Sequence, residues 1–304
     1  MMSTEGAIRA ASPEGHIFKP ICQRRISVPF IQSIVLAAVQ GITEFLPVSS
    51  SGHLILVPKL TGWPDQGLAI DVAVHVGTLL AVMLYFWRDF GGIAGAVLRA
   101  GSQMANHRPL DQEFWLLIKL IVATLPVVAA GYWVNEYLSD DLLRSVTIIG
   151  WTTLGFGLLL WFADKTNMTI RRLDHITYGG ALVIGLFQIL ALVPGTSRAG
   201  ITMTAARFLG VECQDAARFS LLLSIPVIIV AGSLKGLELY QSGNQLLIDD
   251  ALTVGGLAFV FALFAIALLM LWLKRASFTP FVVYRVILGV ALLYYAYGAP
   301  GLGI

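Results

Sequence analysis

The stretch QGITEFLPVSSSGH, residues 40–53, decides the fold. It begins as an apolar helical arm carrying Gln40 and Glu44, which sit four apart and so share one helical face. Pro47 follows, and then Ser49, Ser50, Ser51, Gly52 and His53. Proline removes a backbone donor and clashes with the preceding turn, so no uninterrupted helix runs through this cluster. A second stretch, PGTSRAGITMT at 194–204, cuts the apolar region 174–210 as the first cuts 27–61. The arms that follow the breaks, 53–61 and 201–210, are about half a bilayer long, because a full crossing needs about 20 apolar residues. Both regions are therefore predicted to be re-entrant helical hairpins that enter a membrane, turn near its middle and leave on the same side.

The remainder of the 304-residue chain supports that setting. It is 57% hydrophobic and 12% charged, against roughly 45–50% and about 25% in soluble domains. Six further stretches are long enough to cross: 67–87, 114–134, 143–163, 216–236, 251–273 and 281–298. The fold class is all-α, a polytopic membrane protein with six transmembrane helices plus two re-entrant hairpins. The order is hairpin and three spans, twice. Three is odd, so two halves of one fold would be inserted upside down relative to each other, an inverted repeat. The expected divisions are a flexible N-terminal tail at 1–26, a first half at 27–163 and a second at 164–304. Aligning Pro47 on Pro194, an offset of 147, puts Ser50 on Ser197 and Ser49 on Thr196. The glycines, Gly155 and Gly157 among them, read as close helix packing.

A net charge of +2 gives no nucleic-acid footprint. Cys22 and Cys213 read as unpaired thiols. Counting basic residues in the loops puts Arg88, Arg99, Arg108, Lys165, Arg171, Arg172, Arg207, Arg218, Lys274, Arg275 and Arg285 on one face, which is then cytoplasmic. The other face receives Lys59, Arg144, Lys235 and the basic residues of the tail. Both termini then lie outside, with the first hairpin entering from outside and the second from the cytoplasm.

Ionisable residues at membrane depth are costly and normally serve a site. A helix that starts after each break points free N–H groups back at the turn, which suits an anion. Arg198 adds a guanidinium fork matched to phosphate oxygens. Together the two breaks offer a guanidinium, two helix starts, several hydroxyls, the His53 imidazole and the Glu44 carboxylate. That set suits a phosphate ester or diphosphate. Singly, each residue also has a structural reading: Ser49, Ser51 and Thr196 as helix caps, Arg198 as the ion-pair partner of Glu44, His53 as a hydrogen-bonded interior histidine, Gln40 as a link between helices. An ion pair alone would leave the histidine and the glycine turns unexplained. Elsewhere, Asp71 and His75 read as a mutual helix-face hydrogen bond, with support of His53 as the other option. Arg207, Asp215 and Arg218 read as a loop ion cluster. Ser220 and Ser224 read as partners for carbonyls freed by Pro226.

With these residues in place, the sequence resembles the undecaprenyl-diphosphate phosphatase family, the bacitracin-resistance type of membrane phosphatase, over about residues 27–300. QGITEFLPVSSSGHLIL is similar to the family's first signature, PGTSRAGIT to its second, and AARFSLLLSIPVI and DVAVHVGTLLAV have the family's look. The resemblance implies a multi-pass enzyme of the bacterial inner membrane. Its activity would be hydrolysis of undecaprenyl diphosphate to undecaprenyl phosphate and inorganic phosphate at a site opening outward, with Mg²⁺ or Ca²⁺ as cofactor. Carried over, Glu44 and Gln40 hold the acidic motif as metal ligand or base. Ser50 and His53 are the nucleophile and proton-transfer candidates, and Arg198 with Ser197 and Thr202 binds the diphosphate. Ser49, Ser51 and Gln40 complete the substrate-binding set. Gln40 stands where a Glu is usual, leaving one carboxylate, so the cation is expected to arrive largely on the diphosphate. Ala199 stands where a second serine is frequent. The lipid phosphate phosphatases share Ser51-Gly52-His53 and Ser197-Arg198 but need a histidine nucleophile after the arginine, and residues 199–212 contain none. A transporter or flippase of polyprenyl phosphate would use the same anion site. Serine or water as nucleophile stays open, as does a homodimer; the partners expected are the polyprenyl diphosphate and membrane lipids.

Overall fold

A computed structural model describes residues 30–63, 67–137, 145–166, 171–241 and 245–298. The expected tail at 1–26 lies outside them. The described residues are almost all helical: α1 Phe30–Thr43, α2 Ser50–Thr61, α3 Gly67–Tyr85, α4 Trp87–Ala105, α5 Gln112–Tyr137, α6 Val146–Thr166, α7 Tyr178–Ile189, α8 Arg198–Phe208, α9 Cys213–Gln241, α10 Gln245–Leu273 and α11 Thr279–Gly298. Short 3₁₀ turns occupy Leu173–His175 and Leu190–Leu192. Five helices contain a stretch long and apolar enough to cross a membrane: 112–134, 146–166, 213–230, 250–273 and 279–298. A sixth candidate is α3 joined to α4 across Phe86. The protein is a multi-pass membrane protein.

The bent pair corrects the sequence reading, which left the residues after 87 as a connection. α4 turns 80° away from α3. Its hydropathy is diluted by Arg88, Asp89 and four glycines, yet Ala96 and Ala100 recur at helical spacing and are buried. The helix packs on α5, and Arg99 fixes its far end by donating to Asp111 Oδ2 from Nε and NH2, at 2.9 and 2.7 Å. An amphipathic helix is legible by period and missed by a search for spans.

Both predicted breaks are present. α1 gives way to α2 across residues 44–49, and α7 to α8 across 190–197, with the two arms of each packed together. Ser49 and Ser197 stand at the N-caps of α2 and α8 with φ of 76° and 70°. Each side-chain oxygen accepts from the glycine N–H three residues on, Gly52 at 3.3 Å and Gly200 at 3.1 Å. A non-glycine residue at positive φ costs roughly 1–3 kcal/mol, and the cap bond offsets part of that. The two turns match at an offset of 148, which pairs Ser49 with Ser197, Gly52 with Gly200 and Gln40 with Gln188. The sequence alignment on the prolines is thus one residue out of register, because Pro47 stands two residues before its cap serine and Pro194 three before its own.

The arms are seated across the molecule. α1 packs against α10 and α7 against α5, while α3 lies along α10 and α6 along α11. Glycines set the closest crossings: a Cβ on Gly41 would meet Phe261 Cβ at 2.7 Å, and one on Gly185 would meet the Ala123 carbonyl oxygen at 2.5 Å. Gly155, by contrast, faces open space, and its assignment to helix packing is corrected. The expected loop cluster is also corrected. Arg207 is buried in α8 and its Nε donates to Asp164 Oδ1 at 3.0 Å; Arg218 pairs with Asp89; Asp215 accepts from the Leu173 N–H at 2.9 Å. Three separate joints replace one cluster.

Candidate active site

Glu44 is the hub. Its N–H bonds to the Gln40 carbonyl at 2.9 Å, carrying the last turn of α1 one residue past its end, and its side chain is buried. Oε2 accepts from Gln40 Nε2 at 3.0 Å and from Ser50 Oγ at 2.6 Å. Oε1 accepts from Arg198 NH2 at 3.0 Å. Arg198 NH1 donates to the Ser220 carbonyl at 3.3 Å, so this serine faces the second break as well as its own helix. One carboxylate thus ties the end of α1 to the starts of α2 and α8.

His75 joins the cluster from α3. Its Nδ1 bonds to the Asp71 carbonyl at 2.6 Å and its Nε2 lies 3.8 Å from Glu44 Oε2. By spacing alone it pairs with Asp71 or supports His53; the partner across the site is Glu44. A lone histidine in an apolar span was the available signal.

The other expected residues divide. Ser49 and Ser197 cap the helix starts, and Ser51, on the exposed side of α2, lies 3.5 Å from Ser49 Oγ. The Thr202 hydroxyl is buried and bonded to Ser220 Oγ at 2.7 Å and to the Arg198 carbonyl at 2.9 Å, behind the guanidinium. His53 Nδ1 bonds to the Ser49 carbonyl at 2.6 Å, which places the proton on Nδ1. Its Nε2 meets the Tyr284 hydroxyl at 2.6 Å, with the two rings stacked. His53 therefore sits on the same helix as Ser50 but is aimed at α11. Tyr284 was not singled out in the sequence.

Neither was Arg285 placed here; charge counting put it in a cytoplasmic loop. It is fully buried. Its NH1 donates to the Pro47 carbonyl at 3.3 Å and its NH2 to the Gly195 carbonyl at 3.0 Å, one from each break. The breaks are in contact, since a Cβ on Gly52 would lie 3.7 Å from Gly195 Cα. A cavity of about 1000 Å³ lies apart from all this, between the starts of α5, α7 and α9. Its charged lining, including Lys119, Glu113, Arg172 and Asp174, mixes both signs without converging on one point.

The arrangement puts a hydroxyl in contact with a carboxylate, a nucleophile beside its base, with a part-exposed guanidinium and two helix starts around them. A family model described as Bacitracin resistance protein BacA matches residues 33–291. The chain belongs to the BacA family. Relatives named undecaprenyl-diphosphatase agree over nearly their whole length. The protein of Roseobacter denitrificans is 53% identical over 264 residues, covering 87% of this chain and 97% of its own. That of Ruegeria pomeroyi is 50% identical over 265 residues with the same coverage. Undecaprenyl-diphosphatase 1 of Rhodospirillum rubrum is 48% identical over 278 residues, 90% of this chain and 97% of its own. The BacA match includes both breaks and Tyr284 and Arg285.

Proposed function

We propose that this BacA protein is an undecaprenyl-diphosphatase, which hydrolyses undecaprenyl diphosphate to undecaprenyl phosphate and inorganic phosphate. It thereby recycles the lipid carrier for peptidoglycan synthesis and confers bacitracin resistance. The observation that carries the reading is the Ser50–Glu44–Arg198 chain, at 2.6 and 3.0 Å, set between two helix N-termini. Arg198 spends two of the five guanidinium donors on Glu44 and Ser220, and the others, with the first N–H groups of α2 and α8, bind the phosphates. Ser50 Oγ attacks the terminal phosphorus in line, Glu44 takes its proton, and the bond to the bridging oxygen breaks, releasing undecaprenyl phosphate. Water then opens the phosphoserine: His53, turning Nε2 from Tyr284 to the water, accepts its proton and afterwards releases it to solvent, the P–Oγ bond breaks to free inorganic phosphate, and Glu44 returns its proton to Ser50.

For a divalent cation the donors are the Glu44 carboxylate and Gln40 Oε1, which is buried without a hydrogen-bond partner. Among the described residues no three His, Cys, Asp or Glu side chains are grouped to hold a metal. The donor set fits a hard cation shared with diphosphate oxygens. When bound, the ion would neutralise charge on the phosphoryl oxygens. The protein lies in the bacterial inner membrane with the site open to the outer side, and its halves form an inverted repeat, a plan supported by the matched Ser49 and Ser197 turns and the reciprocal seating of α1 on α10 and α7 on α5.

The test is phosphate release from a prenyl diphosphate by purified protein in detergent, with and without chelator. Wild type should turn over and Glu44→Ala and Arg198→Ala should not. Phosphorylated Ser50 trapped by rapid quench is the expected intermediate, and full turnover by Ser50→Ala would transfer the attack to water. Failure of wild type to release phosphate would favour a flippase.

A further inference from the structure

The reaction leaves one buried cation without a task. Arg285 has no carboxylate partner among the described residues. Its bonds go to backbone carbonyls: Nε to Thr153 at 3.1 Å, NH1 to Pro47 at 3.3 Å, NH2 to Gly195 at 3.0 Å and to Thr152 at 3.4 Å. Pro47 belongs to the first break, Gly195 to the second, and both threonines to α6. The threonine hydroxyls reinforce the same joint, Thr152 Oγ1 donating to the Pro194 carbonyl at 2.7 Å and Thr153 Oγ1 to the Gly195 carbonyl at 3.3 Å. With four such bonds and no exposure, the guanidinium has one N–H left and no path to a substrate. Arg198, two donors spent and its side chain 14% exposed, is its opposite.

The neighbours also leave room for it. A Cβ on Gly157 of α6 would lie 2.9 Å from Arg285 Cβ and 3.3 Å from Nε, and one on Gly200 of α8 would lie 2.8 Å from NH1. Glycine at these positions lets the guanidinium reach the plane where the two breaks meet.

We infer that Arg285 is a positioning residue, which pins the two helix breaks to each other and to α6 so that Glu44 and Ser50 from one side and Arg198 from the other converge on one phosphate. The inference rests on the phosphatase reading. Only a planar fork reaches carbonyls on three segments at once, so lysine cannot replace it. A displacement of about 1 Å between reacting groups costs on the order of a hundredfold in rate.

The experiment uses Arg285→Lys and Gly157→Ala, the second of which crowds Arg285 without changing any group at the site. For each, kcat and KM for a prenyl diphosphate are measured in detergent alongside the melting temperature. Spin labels at the exposed positions Ile42 and Leu190, one beside each break, report the distance between them. Both variants should lose at least about tenfold in kcat with KM within about threefold, and the distance distribution should broaden. Wild-type kcat in folded variants, or a loss confined to KM, would overturn the inference. If Arg285→Lys fails to fold, Gly157→Ala decides alone. An inactive wild type would instead refute the phosphatase reading itself.

Discussion

Glu44 accepts from three side chains and faces a fourth, so replacing it does two separable things. In Glu44→Gln the shape is kept, but the proton acceptor for Ser50 and the countercharge for Arg198 are both lost. The expected result is a kcat lower by about 10²–10⁴ together with a destabilisation of about 3–5 kcal/mol from the broken buried pair. Kinetics and a thermal melt on one preparation measure both. Tyr284 has a smaller part. Tyr284→Phe removes one hydrogen bond to His53 Nε2, worth about 1 kcal/mol, and should lower kcat/KM roughly fivefold. The motif residues were legible because runs of polar groups inside apolar sequence demand a reason. His75 was legible only as a partner of Asp71 or a support for His53, and Tyr284 and Arg285 were not legible at all. The last two sit side by side near the start of one span, and nothing in the sequence distinguishes a cation six residues from Thr279 that snorkels to the surface from one driven into the centre.

At the scale of helices, the crossings depend on missing side chains. α3 meets α10 where a Cβ on Gly77 would sit 2.0 Å from the Gly255 carbonyl oxygen. Gly77→Ala should therefore part the helices and cost about 1–3 kcal/mol, whereas Gly155→Ala, facing open space, should stay within about 0.5 kcal/mol. Melting curves of the two variants in one detergent decide this. Helix existence was readable from apolar length, and the breaks from Pro47 and Pro194. Which glycines carry a crossing was not, because a composition rich in small residues is the same whether they face a neighbour or lipid. The α4 helix escaped for a different reason: it is too polar on average to count as a span, and its helical period shows only in the order of polar and apolar residues.

For the whole molecule, five to six candidate crossings were readable from length and hydropathy, but the pairing of helices was not. Packing of α1 on α10 joins residues more than 200 positions apart and leaves no local trace. The proposed orientation makes a direct prediction. In a cysteine-free background, cysteine at Trp63, after α2, should react with an impermeant maleimide added to intact cells, and cysteine at Asn106, after α4, only once the membrane is opened. Labelling in the reverse order would turn the molecule over.

The cross-seating of the arms also bears on how the chain is made. α1 has its groove on α10, near Ala258 and Phe261, and α10 leaves the ribosome long after α1. Until then the face of α1 that carries Gly41 waits in or beside the bilayer without its lasting neighbour. The insertion machinery must shelter that hairpin while most of the polypeptide is still being translated, and a nascent chain stopped short of α10 would be handed to quality-control proteases.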